Sequence, residues 1–157
     1  MTTPSLAGAP TDAYTGHDTF IPYLLNRTTS ALNADFQILL RSHDLTLLHW
    51  RVLAFLNETD GLGVSTLAQY TDVDQTTLSR ALVVMENAGY ISRQPSEQDQ
   101  RMVIVHIQEQ GRQHFLHVLP AALDIHHRAI RGFSPQELKQ LRQFLSRIRA
   151  NINGEAT

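Results

Sequence analysis

Cysteine is absent from the 157 residues, which excludes disulfides, thiolate metal sites, a catalytic cysteine and cysteine-based redox sensing. No run of about 18 apolar residues occurs, so no stretch reads as a bilayer-spanning helix. The N-terminus lacks a cationic stretch followed by an apolar one, the pattern of a secretory signal, and the expected location is the cytoplasm. An excess of either charge is missing too. Thirteen Lys and Arg stand against fifteen Asp and Glu, a formal net of -2 with eight histidines counted as neutral. Such a balance excludes binding a polyanion through bulk charge, so any basic surface has to be local. Also missing are a nucleophile–base constellation, a phosphate-cradling glycine loop and metal-ligand spacing. The chain does not read as an enzyme, and no cofactor is expected.

What is present is a globular composition, 42% apolar and 18% charged, at a length that suits one core with or without an oligomerisation arm. Residues 1–17 are rich in Thr, Pro, Gly and Ala and read as a loose arm. From Phe20 to Leu40 apolar residues recur at steps of three and four, predicting a helix. A second helix is predicted over 45–58, broken by the Asn57–Gly63 stretch. Two short helical segments follow. Ser65 is the expected N-cap of Thr66–Tyr70, and Thr71, Asp72 and Val73 the expected turn. Asp74 then caps Gln75–Ala88, with Leu78, Ala81, Leu82 and Met85 facing inward and Gly89 at the C-terminal glycine position. Tyr90–Gln94 and Met102–Ile107 read as strands around a polar tip, 95–101. A helix over 109–130 contains Pro120, expected to kink it. The last helix has the clearest start: Ser134 at the N-cap, Pro135 first and Glu137 completing a capping box.

Helix, tight turn, longer helix and hairpin is the order of a winged helix-turn-helix. The expected fold is therefore mainly α, with a small two-stranded β-wing and flanking dimerisation helices. Its parts are the arm (1–17), N-terminal helices (18–60), a winged DNA-binding domain (61–108) and C-terminal dimerisation helices (109–153). A helix fits the major groove of B-DNA, and Gln75, Thr76, Ser79 and Arg80 would face outward near the start of the second short helix. Gln pairs with adenine, Thr bonds or touches a thymine methyl, and Arg takes guanine or phosphate. Arg101 at the hairpin tip is offered to the neighbouring minor groove. Each piece alone has a plainer explanation: a solvated helix face, or an arginine bracing a hairpin beside Asp99. The order and lengths of the pieces single out DNA. Between Gly63 and Ile107, however, three arginines meet five acids. Affinity must then depend on a few placed arginines, duplicated by a symmetric partner. Three helices too long for a small winged domain to cover call for a second copy, which makes an inverted-repeat duplex the expected site.

Several stretches resemble the MarR-type (multiple antibiotic resistance) winged-helix transcriptional regulators over about residues 20–152. Leu45-Thr46-Leu47-Leu48-His49-Trp50-Arg51-Val52-Leu53 is similar to the family's second helix, and Val64–Tyr70 to its first helix-turn-helix element. Thr77-Leu78-Ser79-Arg80 with Glu86-Asn87-Ala88-Gly89-Tyr90-Ile91 is similar to the recognition helix and its exit. Arg93–Gly111 is similar without a gap to the wing and the start of the next helix, Asp99 and Arg101 matching the Asp-x-Arg signature. Ser96, Gln100 and Gln108 depart from the usual Asp, Arg and Thr. The resemblance implies a homodimer, usually a repressor, with a wing arginine in the minor groove and an aspartate helping to hold it. The candidate DNA-binding set is Ser65, Gln75, Thr76, Thr77, Ser79, Arg80, Asp99 and Arg101.

The resemblance further implies release from DNA by a small phenolic or aromatic-acid ligand in a cleft between dimer helices and winged domain. Candidate wall residues are Arg27, His43, His49 and Trp50, an arginine pairing a carboxylate and Trp50 stacking on a ring. Core packing is the plainer role for Trp50, and a surface or dimer ion pair for Arg27. His114 and His117, three apart, and the adjacent His126 and His127 supply at most two ligands to a metal, so no metal site is assigned. The alternative function is a constitutive, pH-responsive or metal-responsive DNA-binding regulator without an organic effector.

Overall fold

The computed structural model describes residues 16–154; nearly all of the predicted arm lies outside them. Helix α1 (Ile21–Arg41) starts with a proline in its first turn, where a missing N–H costs nothing. It leads into α2 (Leu47–Glu58). Thr46 caps α2 by accepting the His49 N–H at 3.1 Å, so this helix starts two residues later than its apolar pattern suggests, and Leu45 is buried in the connection. Then come β1 (Leu62–Gly63), α3 (Val64–Thr71), α4 (Gln75–Asn87), β2 (Ile91–Pro95), β3 (Val103–Ile107), α5 (Glu109–Ala129) and α6 (Pro135–Asn153).

Three local expectations need correction. The sheet has three strands in the order β1-β3-β2, not two. Strand β1 pairs Leu62 with Val105 and Gly63 with Ile104; a two-residue strand has no periodicity to read. The N-cap of α3 is Gly63, without a side-chain bond, so Ser65 is inside the helix and exposed. Thr71 belongs to the helix rather than the turn. It is fully buried, and its hydroxyl donates to the Leu67 carbonyl at 2.6 Å. The reversal is made by Asp72, at φ 57 and ψ 47, a left-handed conformation that Asp tolerates better than most residues.

The start of the last helix is as expected, and α5 does not end at its proline. Ser134 and Glu137 form the capping box. Helix α5 carries Pro120 inside a continuous span. Leu53, Leu56, Leu67, Leu78, Leu82 and Val105 are fully buried in one core, which the sheet closes on one side and Phe115 and Val118 of α5 on the other. Gly111 allows that closure: a Cβ there would lie 2.1 Å from the Tyr90 carbonyl oxygen. By contrast α6 buries no residue, and Leu141, Phe144, Leu145 and Ile152 stay exposed along it.

Candidate nucleic-acid interface

The start of α4 is built by Asp74. One carboxylate oxygen accepts the Thr77 N–H at 2.8 Å and the other its hydroxyl at 2.6 Å. These bonds, the hydroxyl first, hold the Asp74 carboxyl below the ordinary value. Thr77 therefore has its hydroxyl proton engaged within the protein and keeps only lone pairs for an outside partner. Leu78, Leu82 and Met85 fix the inner side of the helix, which leaves Gln75, Thr76, Ser79 and Arg80 exposed.

Helix α3 is braced from behind. Arg51 of α2 donates to the Thr71 carbonyl at 3.1 Å, satisfying one of the last carbonyls of the helix. Arg51 is next to the candidate ligand residue Trp50, and only the packing of α2 on α3 brings it to a carbonyl 20 residues away.

The wing is shaped by hydrogen bonds at its tip. Ser96 Oγ accepts the N–H groups of Gln98 and Asp99 at 3.2 and 3.4 Å. Asp99 accepts the backbone N–H of Arg101 at 3.0 Å. The aspartate thus holds the main chain of the wing arginine. Among the described residues neither Arg80 nor Arg101 forms an ion pair.

Arg93 behaves differently. Glu86, near the end of α4, accepts its Nε at 2.9 Å, its Nη2 and its backbone N–H at 3.0 Å. Both carboxylate oxygens are thus engaged, joining β2 to α4 and pairing the Arg93 charge within the protein. The Arg93 hydrogen bonds hold the Glu86 carboxyl below its ordinary value, against a smaller opposing effect of desolvation.

A groove of about 270 Å³ runs between the two short helices and the wing, and Ser65, Gln75, Ser79 and Arg101 all line it. Four of the eight candidate DNA contacts therefore meet at one place. Thr76 and Arg80 stand on the outward side of α4, and Asp99 supports the tip.

The four candidate ligand residues are not brought together. Trp50 is stacked on Phe115, with ring centroids 4.7 Å apart, and Phe36 meets it edge-on at 5.4 Å. Arg27 is exposed on α1, donates to the Tyr23 hydroxyl at 3.3 Å, and opens onto a groove of about 710 Å³ between α1, α5 and α6. His49 is half-buried, and burial lowers its pKa. His43 lies against α5, its ring 5.3 Å from that of His117. Its carbonyl is 2.9 Å from Nε2 of His114, which donates there, and the His114 ring stacks on Tyr90. That three-histidine grouping joins residues far apart in sequence, which helix spacing alone could not reveal. Among the described residues, no three His, Asp or Glu side chains are placed to hold a metal ion, and no helix is long and apolar enough to cross a membrane.

Comparison with known proteins agrees with this geometry. The MarR family model matches residues 43–102, from the connection before α2 to the wing. A solved MarR-family transcriptional regulator from Silicibacter pomeroyi is 32% identical, with a TM-score of 0.82 over 89% of this chain and 94% of that one. The HTH-type transcriptional repressor IacR of Pseudomonas putida is 25% identical over 83% of this chain and 78% of its own length. BpsR of Bordetella bronchiseptica, whose DNA binding is regulated by 6-hydroxynicotinic acid, has a TM-score of 0.76 over 84% of this chain and 94% of its own. Its identity of 21% speaks for the fold alone. The relative that is 32% identical along nearly the whole of both chains shows that this chain belongs to the MarR family of DNA-binding transcriptional regulators.

Proposed function

We propose that the chain acts as a homodimeric repressor that binds an inverted-repeat operator and is released by a small aromatic acid. It carries no catalytic role in this reading. The observation behind the DNA part is the groove in which Ser65, Gln75, Ser79 and Arg101 converge beside an exposed, capped reading helix. The dimer part rests on α6, whose apolar residues a single chain leaves uncovered. Two-fold pairing sets two reading helices about 34 Å apart, one turn of the duplex. Repression and an aromatic acid are suggested by the names of a repressor and of an acid-regulated protein among the similar proteins.

A second reading, a regulator without an organic effector, is favoured by one fact: Trp50 is packed between Phe36 and Phe115. The two readings part in one assay. Full-length protein is titrated onto the duplex upstream of its own gene, with and without a panel of aromatic acids, beside Arg101→Ala. The expected result is release by at least one acid and weaker binding by a variant that still dimerises. If the two unpaired arginines of each winged segment, Arg80 and Arg101, make the phosphate contacts, the slope of log affinity against log salt is about -4. A monomer in solution, indifference to inverted repeats, or a slope near -9 overturns the proposal. Affinity that no acid alters selects the second reading.

A further inference from the structure

The outward side of α4 carries two exposed valines, Val83 and Val84, that polar readout leaves without a role. Val83 is 43% exposed. It follows Ser79 by four residues and Arg80 by three, the spacing that sets side chains next to one another on a helix. Thr76, Ser79, Arg80 and Asn87 are exposed around it, while Leu78, Leu82 and Met85 point to the core. An outward valine gains little for the helix itself, since β-branched residues are mediocre helix formers and an apolar side chain gains nothing from water. It does offer a stiff pair of methyl groups with one dominant rotamer. The major-groove edge of DNA has one apolar feature, the C5-methyl group of thymine.

We propose that Val83 is a specificity-determining residue that packs against a thymine methyl in each half-site. This rests on α4 being the groove-reading helix. Val84, 55% exposed, supplies a built-in control. It follows Arg80 by four residues, yet at 100° per residue it falls about 40° outside the arc from Ser79 to Arg80, in which Val83 is central.

The probe is deoxyuridine, which keeps the pairing and the O4 acceptor of thymine and lacks only the methyl. Full-length protein first selects its preferred duplex from a random pool. Each thymine in that duplex is then replaced in turn. Wild type should bind about fourfold more weakly at one replaced thymine per half-site, the factor for one buried methyl. Val83→Ala should bind the thymine and uracil duplexes equally there, whereas Val83→Thr, which keeps a branched methyl, and Val84→Ala should retain the preference. Undiminished discrimination in Val83→Ala overturns the proposal, as does its loss in Val84→Ala. Selective binding with no methyl-sensitive position overturns the role of Val83 alone. Failure of wild type to select any duplex overturns the reading of α4 and this inference with it.

Discussion

Gly111→Ala separates two opposed expectations. Helix propensity favours the change: alanine is better than glycine in a helix by up to about 1 kcal/mol. Packing opposes it. Gly111 is buried in the first turn of α5, and an added Cβ would meet three backbone atoms of Tyr90, at 2.1 Å for the oxygen and 2.9 and 3.0 Å for the two carbons. Backbone atoms cannot swing aside, so α5 and the segment entering β2 must part by more than an ångström. Overpacking of this kind costs about 1–3 kcal/mol. The same movement strains the bond from the Gln108 N–H to the Tyr90 carbonyl, 2.9 Å in the wild type, with a net contribution of about 1 kcal/mol. After the propensity gain, the expected loss is about 2 kcal/mol, or a Tm lower by about 4–8 °C for a chain of this size. Urea unfolding at a fixed chain concentration measures it, since an assembling protein's stability depends on concentration. A variant as stable as wild type, or more stable, refutes the packing argument and leaves propensity in charge.

Substitutions at two further positions test α4 and its clamp. Glu86→Gln removes the carboxylate that holds Arg93. Because the wild-type carboxyl is depressed below its ordinary 4.5, its contribution is present above that value and is lost as pH falls through the lower, folded-state one. Wild type should therefore lose stability below about pH 4.5 more steeply than Glu86→Gln in an acid titration followed by circular dichroism; parallel curves would dismiss the clamp. Asp74→Ala removes the acceptor of both Thr77 bonds and should lower DNA affinity severalfold in a mobility-shift assay. Asp74→Asn, which keeps an acceptor for the N–H, should recover most of it, and equal weakness in both variants would assign the effect to charge instead.

Legibility from sequence followed the range over which each signal acts. The start of α6 was readable because Ser134, Pro135 and Glu137 fall within four consecutive residues and bond to one another. Asp74 was readable for the same reason. The start of α3 was not, because Gly63 caps it without a side chain and β1 exists only through pairing with Ile104 and Val105, far along the chain. The candidate interface divides likewise. Helical spacing alone puts Gln75, Thr76, Ser79 and Arg80 on one exposed side. No local pattern could tell that Arg93 is held by Glu86, or that Trp50 has Phe36 and Phe115 as ring partners. An aromatic at a half-apolar position looks the same whether it lines a cavity or fills a core; only the elements packed on it decide.

The diversion of Arg93 sharpens a difficulty already visible in the composition. With the Glu86–Arg93 pair set aside, the segment from Gly63 to Ile107 offers Arg80 and Arg101 against Asp72, Asp74, Glu97 and Asp99. A surface so poor in cations cannot bind DNA by attraction to phosphates alone. Two of those acids are nevertheless turned inward in function, since Asp74 accepts N–H and hydroxyl bonds from Thr77 and Asp99 accepts the Arg101 N–H. These two acids thus hold the start of α4 and the backbone of Arg101; in the proposed function that is how they serve the duplex rather than oppose it. Under the proposed function, a protein arranged this way forgoes much of the sequence-independent part of affinity, which phosphates supply, and recovers it through fitted contacts in the grooves and through two copies acting together. Weak binding to random duplex should therefore accompany its binding to the operator.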